Sequence, residues 1–165
     1  MLRYNSVLSN VSRGIGFAAF VVVTLGIAAG DCLAQAATTL SLEGAWEPQL
    51  YLLKDGTRHE LRGRMFFTGS EWLVTFFVMD GDAPKRGSSE GGTYVLRGDS
   101  LILRHRYLLA AGETMAGLAA SPLQMEARVA DEPVEGTSFE LSRRRLVLHF
   151  PSGNAMEFRR PTSFR

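Results

Sequence analysis

From Gly44 almost to the C-terminus, apolar and polar residues alternate with a period of two, and this makes β-sheet the regular structure that most of the chain can build. In Arg58 to Phe67, His59, Leu61, Gly63, Met65 and Phe67 alternate with Arg58, Glu60, Arg62 and Arg64. Successive side chains of a strand point to opposite faces, so one face here is largely apolar and the other is charged until Phe66. Leu101 to Tyr107 repeats the arrangement, with Leu101, Leu103, His105 and Tyr107 on one face and Ile102, Arg104 and Arg106 on the other. The same pattern predicts strands over Trp46–Leu53, Thr93–Arg97, Leu123–Val129, Ser138–Ser142, Arg145–Phe150 and Ala155–Arg160. Glu71–Met79 is apolar on both faces, which predicts a strand covered on both sides or one whose outer face packs on something.

Short turns separate these strands. Asp55-Gly56, Gly69-Ser70, Gly98-Asp99 and Ser152-Gly153-Asn154 tolerate positive φ and suit hairpins. Eight or nine short strands joined in this way form an antiparallel meander, and a meander with one apolar face closes on itself to remove its edges. The predicted fold is all-β, a single antiparallel up-and-down β-barrel of about eight strands. Two segments break the rhythm. Asp80 to Gly92, polar and rich in Gly and Ser, reads as a long mobile loop. Ala110 to Pro122 reads as a short helix or as a lid across a barrel mouth.

The N-terminus has a different character. Arg3 and Arg13 precede an uncharged apolar run, Ile15 to Gly30, and Ala34-Gln35-Ala36 is a small-x-small triplet of the kind cut by signal peptidases. The run is 16 residues long and contains Gly16, Gly26 and Gly30, whereas a spanning helix needs about 20 apolar residues. A cleavable signal peptide over 1–36 is therefore expected, with residues 37–165 forming the barrel domain in a bacterial periplasm or outside the cell. Lipidation at Cys32 is not expected, because Asp31 stands where a small residue is needed.

Cleavage would also remove the chain's one cysteine, leaving no thiol nucleophile, redox pair or zinc-thiolate site. It would take two cations and one anion from 18 Lys+Arg and 17 Asp+Glu, leaving the signs balanced. A neutral domain has no global field to draw it to nucleic acid or to an anionic membrane. A domain of this length has room for one good core and must hold together without disulfides.

At Leu42-Glu43-Gly44-Ala45-Trp46 the sequence resembles the lipocalins and the wider calycin group, whose first strand opens with Gly-x-Trp. The resemblance implies that Trp46 closes the blunt end of the barrel beneath an arginine of the last strand, Arg159 or Arg160. Asp55-Gly56, Gly92-Thr93-Tyr94 and Gly98-Asp99-Ser100-Leu101 are similar to elements of bacterial lipocalin-like domains. Such a barrel either fills with its own side chains or holds one small ligand.

The candidate ligand-binding residues follow from the inward face: His59, Phe67, Trp72, Phe76, Leu103, His105, Tyr107 and Met125. His59 and His105 fall on apolar faces and could orient a polar head group, bind a metal or haem, act as a general base, or simply be core histidines with one hydrogen bond each or histidines at the barrel mouth. No cluster at metal-ligand spacing is present and no cofactor motif is found, so neither a metal nor a cofactor is expected. Arg97-Gly98-Asp99 is read as a turn, Arg143-Arg144-Arg145 as a solvated basic turn, and Asp80-Gly81-Asp82 lacks the rest of a calcium loop.

Three functions suit such a chain. The first is an exported barrel that binds a small, mainly hydrophobic molecule. The second is an isomerase or hydratase using His105 or His59. The third is a filled barrel acting as a structural or inhibitor protein through its surface. An outer-membrane barrel is excluded, because Arg62, Arg64, Arg104 and Arg106 would face lipid.

Overall fold

The computed structural model describes residues 40–128 and 133–162. The proposed signal over 1–36, and Val129 at the end of a predicted strand, lie outside them. Nine strands run in chain order: β1 (Gly44–Leu52), β2 (Arg58–Thr68), β3 (Glu71–Asp80), β4 (Ala83–Arg97), β5 (Ser100–Gly112), β6 (Ser121–Ala127), β7 (Val134–Leu141), β8 (Arg145–His149) and β9 (Ala155–Arg159). Each pairs antiparallel with its neighbours, and β9 returns to pair with β1. β6 and β7 lie end to end on one edge of β5. Tyr107 to Gly112 pairs with β6, and Ser100 to Arg104 pairs with β7. Nine strands therefore make eight staves of a closed up-and-down barrel.

The alternation seen in the sequence sorts the side chains. Leu61, Met65, Phe67, Trp72, Val74, Val78, Leu101, Leu103, Leu148, Met156 and Phe158 are all buried inside. Arg58, Glu60, Arg62 and Phe66 are exposed outside. The doubly apolar β3 has a specific explanation. Its outward Leu73 and Phe77 lie across Gly91 and Gly87 of β4, where a Cβ would come within 3.0 Å of Leu73 and 3.2 Å of the Phe77 ring. The missing side chains on β4 leave the space that these two fill, although each remains nearly half exposed.

One end of the barrel is sealed. Trp46 is fully buried, and its indole N–H donates to the Leu42 carbonyl at 2.8 Å. The Arg160 guanidinium stacks 3.8 Å above the Trp46 ring and donates to the carbonyls of Ser41 at 2.5 Å and Glu43 at 2.6 Å. Gly44 has φ +97°, and a Cβ there would approach the guanidinium to 3.0 Å, so glycine serves both the turn and the contact. Of the two arginines implied by the resemblance, Arg160 occupies the position. Arg159 points outward, 3.8 Å from Glu47, because it sits one residue out of phase with the inward-facing Met156 and Phe158.

The structure corrects the reading of Asp80 to Gly92 as a mobile loop. Ala83 onward belongs to the 15-residue β4, whose Ala83 to Thr93 pairs with β3 and whose Arg86 to Arg97 pairs with β5. The segment lacks an apolar face because its inward residues, Arg86, Ser88 and Glu90, line a cavity rather than a core.

Candidate functional site

Toward the end opposite Trp46, the barrel widens into a cavity of about 350 Å³. Its floor and far wall are apolar: Met65, Trp72, Val74, Leu103, Leu148 and Phe158. Below them Trp46, Phe67, Leu101 and Leu146 fill the barrel completely. The interior thus changes from packed core to open cavity along the barrel axis.

The polar wall belongs to adjacent staves. On β4, Arg86, Ser88 and Glu90 point inward at successive alternate positions, from the mouth downward. His105 of β5 places Nδ1 3.2 Å from Glu90 Oε2, and the Ser88 hydroxyl donates to Glu90 Oε1 at 2.7 Å. Burial pushes the Glu90 carboxyl up. The hydrogen bonds from His105 and Ser88 and the nearby cationic groups outweigh that and hold it below the usual carboxylate range. An ionised carboxylate only accepts hydrogen bonds, so Nδ1 of His105 must carry a proton. In the neutral ring, Nε2 then presents a lone pair. The Trp72 ring meets the imidazole edge-to-face at 5.1 Å, and its N–H reaches the carbonyls of Thr93 at 3.1 Å and Arg104 at 3.3 Å.

On the next stave Glu135 faces the same space, with one oxygen accepting from the buried Thr137 hydroxyl at 2.9 Å. Across the cavity Tyr51 accepts from the Asn154 amide at 2.9 Å. Burial raises its phenol pKa, and the charges of Arg86, Glu90 and Glu135 all reach it. These groups converge on one volume.

The mouth is partly covered. Between β5 and β6 the chain crosses the barrel opening, held by a Met115–Leu118 bridge. Arg86 Nη1 donates to the carbonyls of Glu113 and Ala119, both at 2.6 Å, and Lys85 pairs with Glu113 at 2.8 Å. His59 Nε2 lies 2.9 Å from the Ala116 carbonyl. Of the two readings of Ala110 to Pro122, the structure adopts the lid, over Glu113 to Ala120 only, since the two ends of the segment belong to β5 and β6.

Trp72, Phe76, Leu103 and His105 line the cavity. The remaining four candidates do not. His59 is buried against the lid rather than open to the space, so it is a lid anchor. Phe67 lies in the packed end, with its ring edge-to-face against Tyr94 at 5.1 Å. Tyr107 and Met125 face outward, 58% and 72% exposed. The cause is a β-bulge. Gly92 pairs with His105 and Gly91 with Tyr107, so Arg106 is one residue too many and the inside–outside phase of β5 flips after His105. Met125 pairs through Leu109 and inherits the flipped phase.

The residues missed by alternation are Arg86, Ser88, Glu90 and Glu135. Glu90 and Ser88 carried a signal, since alternate polar residues flanked by glycines suit a strand whose inner face is wet. Among the described residues no group of His, Cys, Asp and Glu is placed to hold a metal ion.

No protein-family model matches the sequence, and no curated protein is significantly similar to it. Two solved structures are similar to the barrel. A lipocalin-like protein from Bacteroides uniformis shares 16% identity, with 73% of this chain and 98% of that one covered and a TM-score of 0.46. An uncharacterized protein from Bacteroides eggerthii shares 14% identity, with 73% and 100% covered and a TM-score of 0.45. The strand pairing itself defines the fold. An eight-staved antiparallel meander closed by β1 and β9, with Trp46 beneath Arg160 at its sealed end, is a lipocalin-like calycin barrel.

Proposed function

We propose that the barrel binds a small, mainly hydrophobic molecule with a polar head, and does so outside the cytoplasm after cleavage behind Ala36. One observation carries the binding reading: a cavity of about 350 Å³ that is apolar below and polar on one wall. That volume lies in the range of small-molecule sites, which are mostly apolar with a few placed polar groups. The apolar walls supply affinity by removing ligand surface from water at about 25 cal/mol per Å². His105, Glu90 and Ser88 orient the head. The same cavity argues against the filled-barrel alternative.

Native mass spectrometry of the protein from its own host's envelope fraction, with solvent extraction of anything bound, tests both parts. A chain beginning at Ala37 that carries a stoichiometric organic molecule is the expected result. An empty barrel that also fails to take up any hydrophobic probe would refute binding, and an uncut chain would refute the signal.

A second reading has an observation of its own. His105 is oriented by a carboxylate 3.2 Å away inside a cavity, the arrangement a general base requires. An isomerase or hydratase would use Nε2 of His105. His59 takes no part, because the lid carbonyl occupies its Nε2. Conversion of the extracted molecule by the purified protein, lost in His105→Gln, would establish this reading. Return of the molecule unchanged would eliminate it.

A further inference from the structure

The charges around the cavity are lopsided in a way that selects the ligand's head. The side chains facing it that bear or can bear charge are Arg86, Glu90, His105 and Glu135, with the Tyr51 phenol opposite. Arg86 is the one permanent cation among them, and it is committed. Its Nη1 serves two lid carbonyls, and the guanidinium lies across Gly112 at the rim, where a Cβ would approach it to 2.7 Å. Deeper in, the groups are acceptors. Glu90 faces inward on β4. His105 lies on the adjacent strand with its proton on Nδ1, held by Glu90, leaving the Nε2 lone pair in the neutral ring. Glu135 lies on the next strand and pairs with Leu103, which makes it a diagonal neighbour of His105. Two carboxylates and an imidazole lone pair thus stand in a row on three adjacent strands; Arg128, whose charge also reaches Glu90, does not line the cavity and is paired with Glu126.

We propose that the cavity selects ligands whose polar head is a protonated amine on an apolar body, and that it disfavours those ending in a carboxylate. This rests on the ligand-binding reading above. A carboxylate head would bring a third anion beside Glu90 and Glu135 in a site of reduced dielectric, where like charges repel more strongly than in water. An ammonium donates three hydrogen bonds and meets Glu135, Glu90 and the imidazole acceptor together.

The test compares octylamine, octanol and octanoate on the full chain as purified, at about pH 8, where an ordinary imidazole is neutral and an alkylamine is charged. Binding is read by calorimetry and by displacement of a fluorescent hydrophobic probe. Octylamine should bind at least about tenfold more tightly than octanoate, with octanol between them. Glu135→Gln keeps the acceptor for Thr137 and removes one charge, so it should narrow the octylamine-to-octanoate ratio by about fivefold or more. Octanoate binding as tightly as octylamine would overturn the proposal while leaving the binding reading intact. Failure of all three to displace a bound probe would overturn the proposal, and failure of the fluorescent probe itself to bind would remove the binding reading with it. The wild-type ratio decides the matter even if the variant does not fold, and an unchanged ratio in a folded variant would overturn the role given to Glu135.

Discussion

Arg160 tests whether the sealed end is held by a specific contact or only by burial of Trp46. Replacement by alanine removes the stack over the indole, 3.8 Å away, and the bonds to the carbonyls of Ser41 and Glu43. A partly desolvated cation–π contact contributes about 1 kcal/mol. Hydrogen bonds from a charged donor contribute about 1.5–3 kcal/mol each when buried. Ser41 and Glu43 are exposed, so water can replace the guanidinium there, and about 1 kcal/mol each is the appropriate figure. The expected loss is therefore about 3 kcal/mol, or about 12 °C in Tm for a domain of this size. Urea titration followed by tryptophan emission measures it. Arg160→Lys should recover less than half, because one ammonium cannot both stack on the ring and span two carbonyls. Arg159→Ala is the internal control. Its neighbouring side chain is exposed and 3.8 Å from Glu47, so the loss should stay within about 0.5 kcal/mol. Equal losses at the two positions, or a loss under about 1 kcal/mol at Arg160, would show that the reasoning is wrong.

Three further outcomes are expected. Glu90 is held below its ordinary pKa, so its contribution is present above the unfolded-state value and lost as pH falls through the lower folded value. Urea midpoints for wild type should therefore fall toward those of Glu90→Gln below about pH 4, and profiles that run parallel at every pH would contradict this. Gly92→Ala places a Cβ 1.9 Å from the Arg104 carbonyl oxygen at the bulge, which should cost about 3 kcal/mol or more; a loss under about 1 kcal/mol would mean that the bulge relaxes freely. Leu103→Trp should fill the cavity and weaken ligand uptake more than about tenfold, while Tyr107→Ser and Met125→Ser on the outer face should change it less than about twofold; calorimetry showing the reverse order would place the ligand outside the barrel.

The pattern of what alternation revealed has a physical basis. Where the interior is packed, the two faces of a strand differ in polarity and the sequence declares it. Leu61, Met65 and Phe67, then Leu101 and Leu103, then Met156 and Phe158 all lie where alternation places them. Where the interior is a wet cavity, the contrast disappears. β4 carries Arg86, Ser88 and Glu90 inward and glycines and serine outward, so its first ten residues, Ala83 to Gly92, read as a loop although they are paired strand. The phase of β5 was equally hidden. Nothing in Leu101 to Gly112 announces an extra residue at Arg106. The sign lies on the partner strand, where Gly91-Gly92 permits the backbone approach that the bulge needs.

Parity gives a stricter constraint than any single strand. In a meander every connection reverses direction, so the first and last staves pair antiparallel only if the number of staves is even. Alternation yields nine strands, and an odd number cannot close in this way. Either one predicted strand is spurious or two of them share a stave. The structure takes the second course by laying β6 and β7 end to end along β5. The division falls beside the β5 bulge, where the strand changes phase between His105 and Tyr107. It also falls beside the polar wall, since Glu135 is the second residue of β7 and His105 ends the inward run of β5. His105 faces the cavity by regular alternation with Leu101 and Leu103, ahead of the bulge, and the shared stave lets β7 set Glu135 opposite Leu103 beside it. Deleting Arg106 would remove the extra residue and leave Tyr107 opposite Gly91 on the outer face, whereas a strand that kept Arg106 in regular pairing would turn Tyr107 inward and fill the site with a phenol.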